Sequence, residues 1–367
     1  MSYSSTTKNT DNLGKITEKE IYEIPATLNN VIESRLKIID VAKRIMSSGI
    51  EHIYLIGSGS SYLAGFTISY LFNNISSIPT YAVFATEFQY LIKSILNEND
   101  CIIGLSQSGE TKGVIDSINI GKKLGCLTIA ITNYMASNLA KISDISLHLQ
   151  CNIENSVLST KTYISELVIL SILSLEIAKI KKRITDNEYN TIWEDLSLLP
   201  KNIQTHLSKL HREIKLISKN LKTIEFCFYL GSGADYPTVM EGCLKLKEGA
   251  RFIGHAYPTS EFSHGPLTIV GPNICVISII PQENDKKKQN IFKILKQIKD
   301  LNGIVFVFYS SNEIYDQFDF KIKVPTTNKY LQPINYVIGF QLLTLEIARL
   351  RGINCDTPRY LTKITDM

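Results

Sequence analysis

The sequence predicts an α/β protein built from two copies of a parallel-sheet domain. Short, almost continuously apolar segments alternate with helical segments, and in the first half they are HIYLIG (52–57), PTYAVF (79–84), DCIIGLS (100–106) and CLTIAIT (126–132). Strands with this pattern are typical of parallel sheets that helices cover on both faces. We therefore expect each copy to be a doubly wound, flavodoxin-like sheet flanked by helices.

Two segments of the first half return in the second half with the same spacing. IGSGSSY at 56–62 reappears as LGSGADY at 230–236, and CIIGLSQ at 101–107 reappears as CVISIIP at 275–281, both at an offset of 174 residues. A glycine turn and a strand that repeat in register indicate a duplicated domain.

The organisation along the chain follows from these repeats. We expect a disordered leader over 1–18, a first domain over 19–185, a helical connection over 186–220, a second domain over 221–350 and a C-terminal tail over 351–367. The first domain opens on a predicted helix that ends before Gly49, and its apolar positions are Leu28, Ile32, Leu36, Ile39 and Ala42.

Charge and cysteine content argue against several classes of protein. The net charge of +4 over 367 residues is small and the lysines are scattered, whereas binding to nucleic acid needs a concentrated basic face. The seven cysteines form no CxxC pair and no spacing typical of metal ligands. The most apolar stretch, 167–180, is too short to span a bilayer. We expect a cytoplasmic protein with no cofactor, no metal, and no nucleic-acid or membrane partner.

The segment SQSGET, residues 106–111, follows a predicted strand and precedes a helical pattern. Ligands of parallel sheets bind beyond the carboxyl ends of the strands, and a helix N-terminus favours an anion there. Gly109 permits close approach of the backbone, and the hydrogen-bond donors available to an anion are Ser106, Gln107, Ser108 and Thr111. A helix cap with additional serines is the alternative. The second copy reads Ile280-Pro281-Gln282-Glu283 at this place and has no such hydroxyl cluster.

A second turn, Gly57-Ser58-Gly59-Ser60-Ser61, follows the strand at 52–57. It lacks the third glycine of the dinucleotide fingerprint, and no acidic residue is placed to hold a ribose. Small hydroxyl residues suit sugar hydroxyls or phosphate, although a tight strand-to-helix turn explains the glycines equally well.

A third group combines a helix face with a histidine. Glu241, Lys245 and Glu248 recur at i, i+4 and i+7, which places them on one face of a helix. A solvated ladder of ion pairs is the usual meaning of this spacing, but the flanking residues are apolar. His264 follows in a Gly-Pro turn, and it is either a structural histidine or one half of an acid–base pair.

Six motifs together carry a resemblance to one family. They are GSGSSY, LSQSGET, VLSTK (157–161), EGCLKLKE, EFSHGP and PRYLTK (358–363). In that order they resemble the sugar-isomerase (SIS) phosphosugar-binding family, and in particular the isomerase half of glucosamine-6-phosphate synthase. TEKEIYEIP (17–25) also resembles the opening of that half. The resemblance runs from about residue 17 to the end of the chain.

The resemblance implies binding roles for ten residues in the first copy. Ser106, Gln107, Ser108 and Thr111 would hold a 6-phosphate, Ser58, Gly59, Ser60 and Ser61 would line the sugar, and Val157 and Ser159 would contact the sugar chain.

It also implies catalytic roles for five residues. Glu248 would move a proton between C1 and C2, while Lys245 and Glu241 would tune it. His264 would open the sugar ring, acting in the neighbouring subunit of a homodimer. Lys363 would form an imine with an open-chain ketose. One carboxylate can shuttle a proton along one face of an enediol or enamine, and a lysine imine makes the C1 protons acidic.

The sequence departs from the synthase pattern in two respects. Ser2 follows Met1 where the synthase has a nucleophilic cysteine, so we expect no glutaminase half. Positions that line the substrate also differ, among them Ser58, Leu158 and 249–255, which bears on the identity of the sugar.

The function expected from these residues is an aldose–ketose isomerase and deaminase, which interconverts glucosamine 6-phosphate, or a close analogue, and fructose 6-phosphate plus ammonia. The alternatives are a fructosamine-6-phosphate deglycase, the isomerase subunit of a synthase fed with ammonia by a partner, and a sugar-phosphate sensor. A sensor would need the hydroxyl cluster, but it has no use for Glu248, His264 and Lys363 together.

Overall fold

The computed structural model describes residues 12–224, 226–283, 286–313 and 315–363. They form two five-stranded parallel sheets. The first contains β1 (His52–Gly57), β2 (Thr80–Phe84), β3 (Asp100–Leu105), β4 (Leu127–Thr132) and β5 (Ile145–His148). The second contains β6 (Phe226–Gly231), β7 (Ile253–Pro258), β8 (Cys275–Ile280), β9 (Ile304–Tyr309) and β10 (Phe320–Lys323).

Both sheets have the same strand order, and this confirms the predicted fold class. The orders are β2-β1-β3-β4-β5 and β7-β6-β8-β9-β10, with parallel pairing throughout. The register repeats as well, because Ile53 lies opposite Cys101 in the first sheet and Cys227 lies opposite Cys275 in the second. The offset of 174 residues found in the sequence therefore relates equivalent positions of the two folds.

Twelve α-helices among the described residues surround and connect the sheets. They are α1 (Lys15–Tyr22), α2 (Ile24–Glu33), α3 (Arg35–Ser47), α4 (Ser60–Leu71), α5 (Phe88–Leu91), α6 (Lys112–Lys123), α7 (Asn138–Ile142), α8 (Lys161–Ile180), α9 (Asp186–Ser218), α10 (Asp235–Ala250), α11 (Lys286–Asp300) and α12 (Gln332–Leu350). None of them is long and apolar enough to cross a lipid bilayer.

The two domains meet through α4 and α10, the helices that follow the first strand of each copy. These helices pack against each other, α4 also packs against α8, and α10 packs against α12. Within the second domain, Gly242 allows α10 to approach α12 closely, because a Cβ atom at that position would lie 2.6 Å from the ring of Phe340. One continuous apolar core therefore links the domains, and the carboxyl end of each sheet faces a helix from the other copy.

The predicted disordered leader is wrong for its last residues. Helix α1 begins at Lys15, and Thr17 is buried. Its backbone N–H donates to Asp356 Oδ1 at 2.8 Å, and its hydroxyl donates to the same oxygen at 2.7 Å. The C-terminal tail thus orders the start of the chain through contacts between residues about 340 positions apart. Residues 1–11 lie outside the described residues.

The single helix predicted before Gly49 is two helices. Helix α2 ends at Glu33 and α3 begins at Arg35, and the hydroxyl of Ser34 between them donates to the carbonyl of Val31. Leu36 is consequently 68% exposed, while Ile38 is buried in its place. The apolar positions between residues 28 and 42 that predicted one helix therefore belong to two helices, α2 and α3.

Candidate active site

A cavity of about 290 Å³ lies at the carboxyl ends of β1 and β3, where the strand order of the first sheet reverses. All ten residues predicted to bind phosphate or sugar line it. Lys245 and Glu248 reach it from α10 of the second domain, and Lys363 reaches it from the C-terminal tail. The fold thus brings together segments that are more than 300 residues apart in sequence, as Ser58 and Lys363 show.

The hydroxyl turn at 106–111 is preorganised by its own hydrogen bonds. Ser106 Oγ lies 2.9 Å from Thr111 Oγ1, and the backbone N–H of Gly109 donates to Ser106 Oγ at 3.1 Å. Gly109 adopts a φ of 67°, and a Cβ atom there would lie 2.1 Å from the hydroxyl oxygen of Ser137. The turn ends at Thr111, the residue that precedes α6. Hydroxyl groups and a helix N-terminus therefore converge on one point, as an oxyanion requires.

Two serines at the start of α4 connect the cavity to buried carboxyl groups. The hydroxyl of Ser60 donates to Glu241 Oε1 at 3.0 Å, and that of Ser61 donates to Glu166 Oε1 at 2.7 Å. Burial raises the pKa of Glu166 to about 8, although the bond from Ser61 lowers it in part. The carboxyl groups of Glu241 and Glu166 lie behind the cavity wall and hold the two serine hydroxyls in fixed positions.

The predicted face of α10 forms a chain of charged groups. Lys245 Nζ lies 2.7 Å from Glu248 Oε2 and 3.5 Å from Glu241 Oε1. Burial lowers the pKa of Lys245, but the two carboxylates outweigh it and the net shift is upward. Burial raises the pKa of Glu241 to about 7 in spite of the lysine. The shorter distance identifies Lys245 and Glu248 as the ion pair, so Glu248 is the carboxylate that this lysine holds at the cavity.

The C-terminal tail places Lys363 beside a buried carboxylate that the sequence did not single out. Lys363 Nζ lies 3.0 Å from Glu154 Oε2 and also donates to the carbonyl of Ser156. Glu154 is fully buried and accepts bonds from the N–H of Thr160 and the hydroxyl of Thr162, each at 2.8 Å. Burial raises the pKa of Glu154, but Lys363 and these donors bring it below its usual range. Glu154 therefore stays ionised and orients the lysine.

Two carboxyl groups at the site were missed by reasoning from the sequence. Glu154 stands three residues before Val157, between the exposed residues Ile153 and Asn155, and nothing in its local pattern indicates burial. Glu166 did leave a signal, because it interrupts the apolar run of α8 at a position where both neighbouring turns are buried. A carboxyl in a buried helix is expected to have a partner, and here that partner is Ser61.

Two predicted site residues, Glu241 and His264, do not line the cavity. Glu241 lies behind the cavity wall, where it accepts the hydrogen bond from Ser60, and the other residue is His264. It lies at the end of a 3-10 turn over Thr259–Ser263, and its side chain is exposed. It is not among the residues that line the cavity of its own chain. For His264 to open a sugar ring, as the resemblance implies, it would have to reach the cavity of a second copy of the protein.

Comparison with known proteins identifies the fold family. The SIS domain model matches residues 48–175 and 224–351, which is more than half of the chain. The chain belongs to the SIS domain family. Each match covers one of the two sheets, so both copies are SIS domains. The resemblance seen in the sequence is thereby confirmed.

Proteins named as aminotransferases are similar to this chain over nearly its whole length. Glutamine–fructose-6-phosphate aminotransferase from Yersinia pseudotuberculosis is 32% identical over 358 residues, which cover 94% of this chain and 58% of the relative. The chain therefore spans little more than half the length of such relatives, and it is homologous to their SIS half. The C-terminal domain of glucosamine-fructose-6-phosphate aminotransferase from Francisella tularensis superposes with a TM-score of 0.86 at 29% identity, covering 94% of this chain and 98% of that one.

A solved structure with lower identity shares the fold. Glucosamine-6-phosphate deaminase from Thermotoga maritima superposes with a TM-score of 0.73 at 24% identity, and the match covers 95% of this chain and 99% of that one. This likeness shows a shared fold.

Proposed function

We propose that this protein is an aldose–ketose isomerase and deaminase, which converts glucosamine 6-phosphate or a close analogue into fructose 6-phosphate and ammonia. The observation that carries the proposal is the composition of one cavity. It joins a hydroxyl turn suited to phosphate with Glu248, a carboxylate able to move a proton, and Lys363, an amine able to engage a carbonyl. A binding module needs only the first of these.

The phosphate end of the substrate would lie against the turn at 106–111. Ser106, Ser108 and Thr111 can donate hydroxyl protons to its oxygens, and the start of α6 adds exposed backbone N–H groups. The cations among the described lining residues are Lys245 and Lys363, and they come from α10 and the C-terminal tail. The phosphate would lie at the hydroxyl turn, and the reacting carbons would lie beside these cations at another end of the cavity.

The proton transfer is assigned to Glu248. In the open-chain amino sugar, its carboxylate takes the proton from C2, the C–H electrons form the C1–C2 double bond, and the C1 carbonyl oxygen takes a proton from water to give an enolamine. The same carboxyl group then delivers a proton to C1, while the nitrogen lone pair forms the C2–N double bond and the nitrogen releases a proton to water. The product is an imine at C2, which water hydrolyses to the ketone and ammonia. One base on one face of the enolamine suffices, and Lys245 at 2.7 Å keeps Glu248 oriented.

Lys363 is assigned to the ketose. Its amine would form an imine with the C2 carbonyl of open-chain fructose 6-phosphate and release water. Glu154, at 3.0 Å, holds the lysine in the cavity before the sugar arrives. The imine withdraws electrons from C1, and a C1 proton then becomes accessible to Glu248.

Ring opening is assigned to His264 of a second copy in a homodimer. The exposed position of His264, outside its own cavity, supports this arrangement. Five apolar residues on β2 and the segment after it are 43% to 74% exposed, and they are Tyr81, Phe84, Tyr90, Leu91 and Ile95. Exposed apolar residues of this kind support contact with a second copy of the protein.

A second candidate is the isomerase subunit of a synthase, to which another protein supplies ammonia. The similarity to aminotransferases over 58% of their length favours it. The same residues would then act in reverse on fructose 6-phosphate and ammonia.

A panel of amino-sugar and fructosamine 6-phosphates tests the proposal. We expect ammonia release and fructose 6-phosphate formation from glucosamine 6-phosphate. Release of a larger amine only from fructosamine 6-phosphates would replace the proposal by the deglycase. Binding without turnover of any of these compounds would leave a sensor.

A further inference from the structure

A second cavity, of about 200 Å³, lies at the carboxyl ends of β6 and β8 in the second domain. Its walls include the turn Ser232–Asp235 at the start of α10, the segment Pro281–Glu283 after β8, and the start of α12. The remaining wall comes from the first domain, through α4 and the turn that follows it. The function proposed above makes no use of this cavity.

This cavity is the internal counterpart of the candidate active site. The offset of 174 residues that relates the two sheets carries Ser58–Ser61 onto Ser232–Asp235. It also relates the helices across the domain boundary, since Glu241, Lys245 and Glu248 of α10 correspond to Thr67, Leu71 and Asn74. All three of the latter line the second cavity. Duplication of the domain therefore produced two equivalent crevices, each closed by a helix of the other copy.

The second crevice has lost the groups that the reaction requires. Asn74 stands where Glu248 provides a base, and Leu71 stands where Lys245 provides a cation. Gln282 replaces Ser108, and Glu283 follows it, so a carboxylate lies where the first crevice offers hydroxyls to a phosphate. A carboxylate cannot donate a hydrogen bond to a phosphate oxygen, as the hydroxyls of the first crevice can. The crevice is suited neither to proton transfer nor to a sugar phosphate.

The same crevice has gained other polar groups with balanced charge. Asp235 replaces Ser61, and burial raises the pKa of Asp235 to about 7, while Lys287 lowers it in part. Lys329 Nζ lies 2.8 Å from Glu283 Oε1. Two carboxyl groups and two ammonium groups thus line the cavity. An anionic ligand would lie close to a carboxylate and a cationic ligand would lie close to an ammonium group, so the lining favours a neutral ligand.

Carboxamide and aromatic groups complete the lining. Gln282 Nε2 donates to Gln332 Oε1 at 2.9 Å and to the carbonyl of Thr327 at 3.0 Å, so the two amides are held in place. Tyr70 and Tyr330 stand on opposite domains and offer ring faces. Fixed amides and carboxylates bind vicinal hydroxyls, and aromatic rings pack against the C–H face of a sugar ring.

We propose that this cavity is a second, non-catalytic ligand site for a neutral, unphosphorylated six-carbon sugar. One wall of this cavity is α4, which also carries Ser60 and Ser61 of the candidate active site. A sugar bound in the second cavity would therefore contact the helix that forms part of the first cavity. The proposal does not depend on which reaction the first cavity performs.

The test is calorimetric titration with D-glucose, D-fructose and N-acetyl-D-glucosamine. For a ligand of about a dozen non-hydrogen atoms, we expect a dissociation constant on the order of 1 mM for at least one of them. Asp235→Asn removes the carboxylate that replaces Ser61, and Asn74→Phe fills the crevice from the exposed side. Each variant should weaken binding of that sugar at least about tenfold.

Two controls separate the crevices. Ser108→Ala combined with Thr111→Ala should leave the neutral sugar bound as tightly as before, because it alters only the first cavity. Binding of fructose 6-phosphate by Asp235→Asn should match the parent and shows that the variant is folded. No binding of any of the three sugars, or binding that survives either Asp235→Asn or Asn74→Phe, would overturn the proposal.

Discussion

Glu166 and Glu241 illustrate how individual residues behind the cavity are placed. Both are fully buried, and each accepts a hydrogen bond from a serine that lines the cavity. Burial raises the pKa of Glu166 to about 8 and that of Glu241 to about 7. Near neutral pH the native protein therefore holds protons that the unfolded chain would release.

We predict from this a pH-dependent stability gain in Glu166→Gln. A carboxyl with a raised native pKa favours folding fully below its unfolded value near 4.5, and that advantage is lost as pH rises to about 8. Glutamine cannot ionise, so the gain should be near zero at pH 4 and roughly 2–4 kcal/mol at pH 8. Urea unfolding at both pH values measures it. A gain that is the same at both pH values would show that Glu166 does not titrate as described.

At the phosphate turn, Ser108→Ala combined with Thr111→Ala should weaken binding of any sugar 6-phosphate by about 3–6 kcal/mol, at about 1.5–3 kcal/mol for each charge-assisted hydrogen bond. Gln282→Ala is the matched control, because Gln282 occupies the position of Ser108 in the second domain. Titration calorimetry with fructose 6-phosphate decides the matter. Equal affinities of the double variant and the parent would refute the phosphate assignment.

At the scale of elements, the two ends of the chain form one structural unit. Asp356 in the tail accepts bonds from the N–H of Ile16, the N–H of Thr17 and the hydroxyl of Thr17. Arg349 at the end of α12 pairs with Glu18 of α1 at 2.6 Å. The tail that carries Lys363 is therefore fixed against the first helix of the protein.

Asp356→Ala should loosen both ends together. It leaves donors of α1 without their acceptor, and we expect a loss of about 2–4 kcal/mol of unfolding free energy. Faster hydrogen exchange of the α1 amides should accompany it. Asp116→Ala is the control, because Asp116 forms an exposed ion pair with Lys112 and its loss should cost about 1 kcal/mol or less. Unchanged exchange in α1 would disprove the link.

Much of the element structure could be predicted because its signals are local. The apolar runs that became β3 and β4 are buried along their whole length, and β1 is buried from Ile53 onward. The i, i+4, i+7 spacing of Glu241, Lys245 and Glu248 does place them on one face of α10. The short strands β5 and β10 have only four residues each and mixed burial, so no continuous run announced them.

The parts that could not be predicted depend on contacts between distant segments. Helix α1 is ordered by Asp356, and Glu154 is buried by the tail and by α8. The break at Ser34 has no glycine or proline to mark it. In each case the local sequence is compatible with more than one structure, and tertiary packing selects between them.

At the scale of the whole molecule, the duplicated fold explains why one crevice is assigned to catalysis and the other is not. Each sheet presents its carboxyl end to the helix that follows the first strand of the other copy. Divergence then needed to change only a few side chains on α4 and α10 and on the turns after β3 and β8. The role proposed for His264 would extend the same sharing of parts to a second molecule.

A complementation experiment tests whether His264 acts between molecules. His264→Ala and Glu248→Gln should each be inactive alone. The two variants are mixed in equal amounts, dissociated and allowed to reassociate. Half of the resulting dimers contain one chain of each variant, and each mixed dimer has one intact site of two, so about one quarter of the parent activity should return. No recovery from two inactive variants would mean that His264 acts in its own chain, and activity of His264→Ala alone would mean that the reaction does not need His264.

The most direct test of the proposed reaction is exchange of the substrate's C2 proton with solvent deuterium, compared between the parent and Glu248→Gln by NMR. The parent should exchange it during turnover. Glutamine preserves the shape of the side chain and removes the base, so the variant should exchange about 100- to 10,000-fold more slowly. Binding of an open-chain sugar alcohol 6-phosphate should change little, because the phosphate turn is on the other domain. Exchange at the parent rate in Glu248→Gln, or its absence in the parent, would contradict the account.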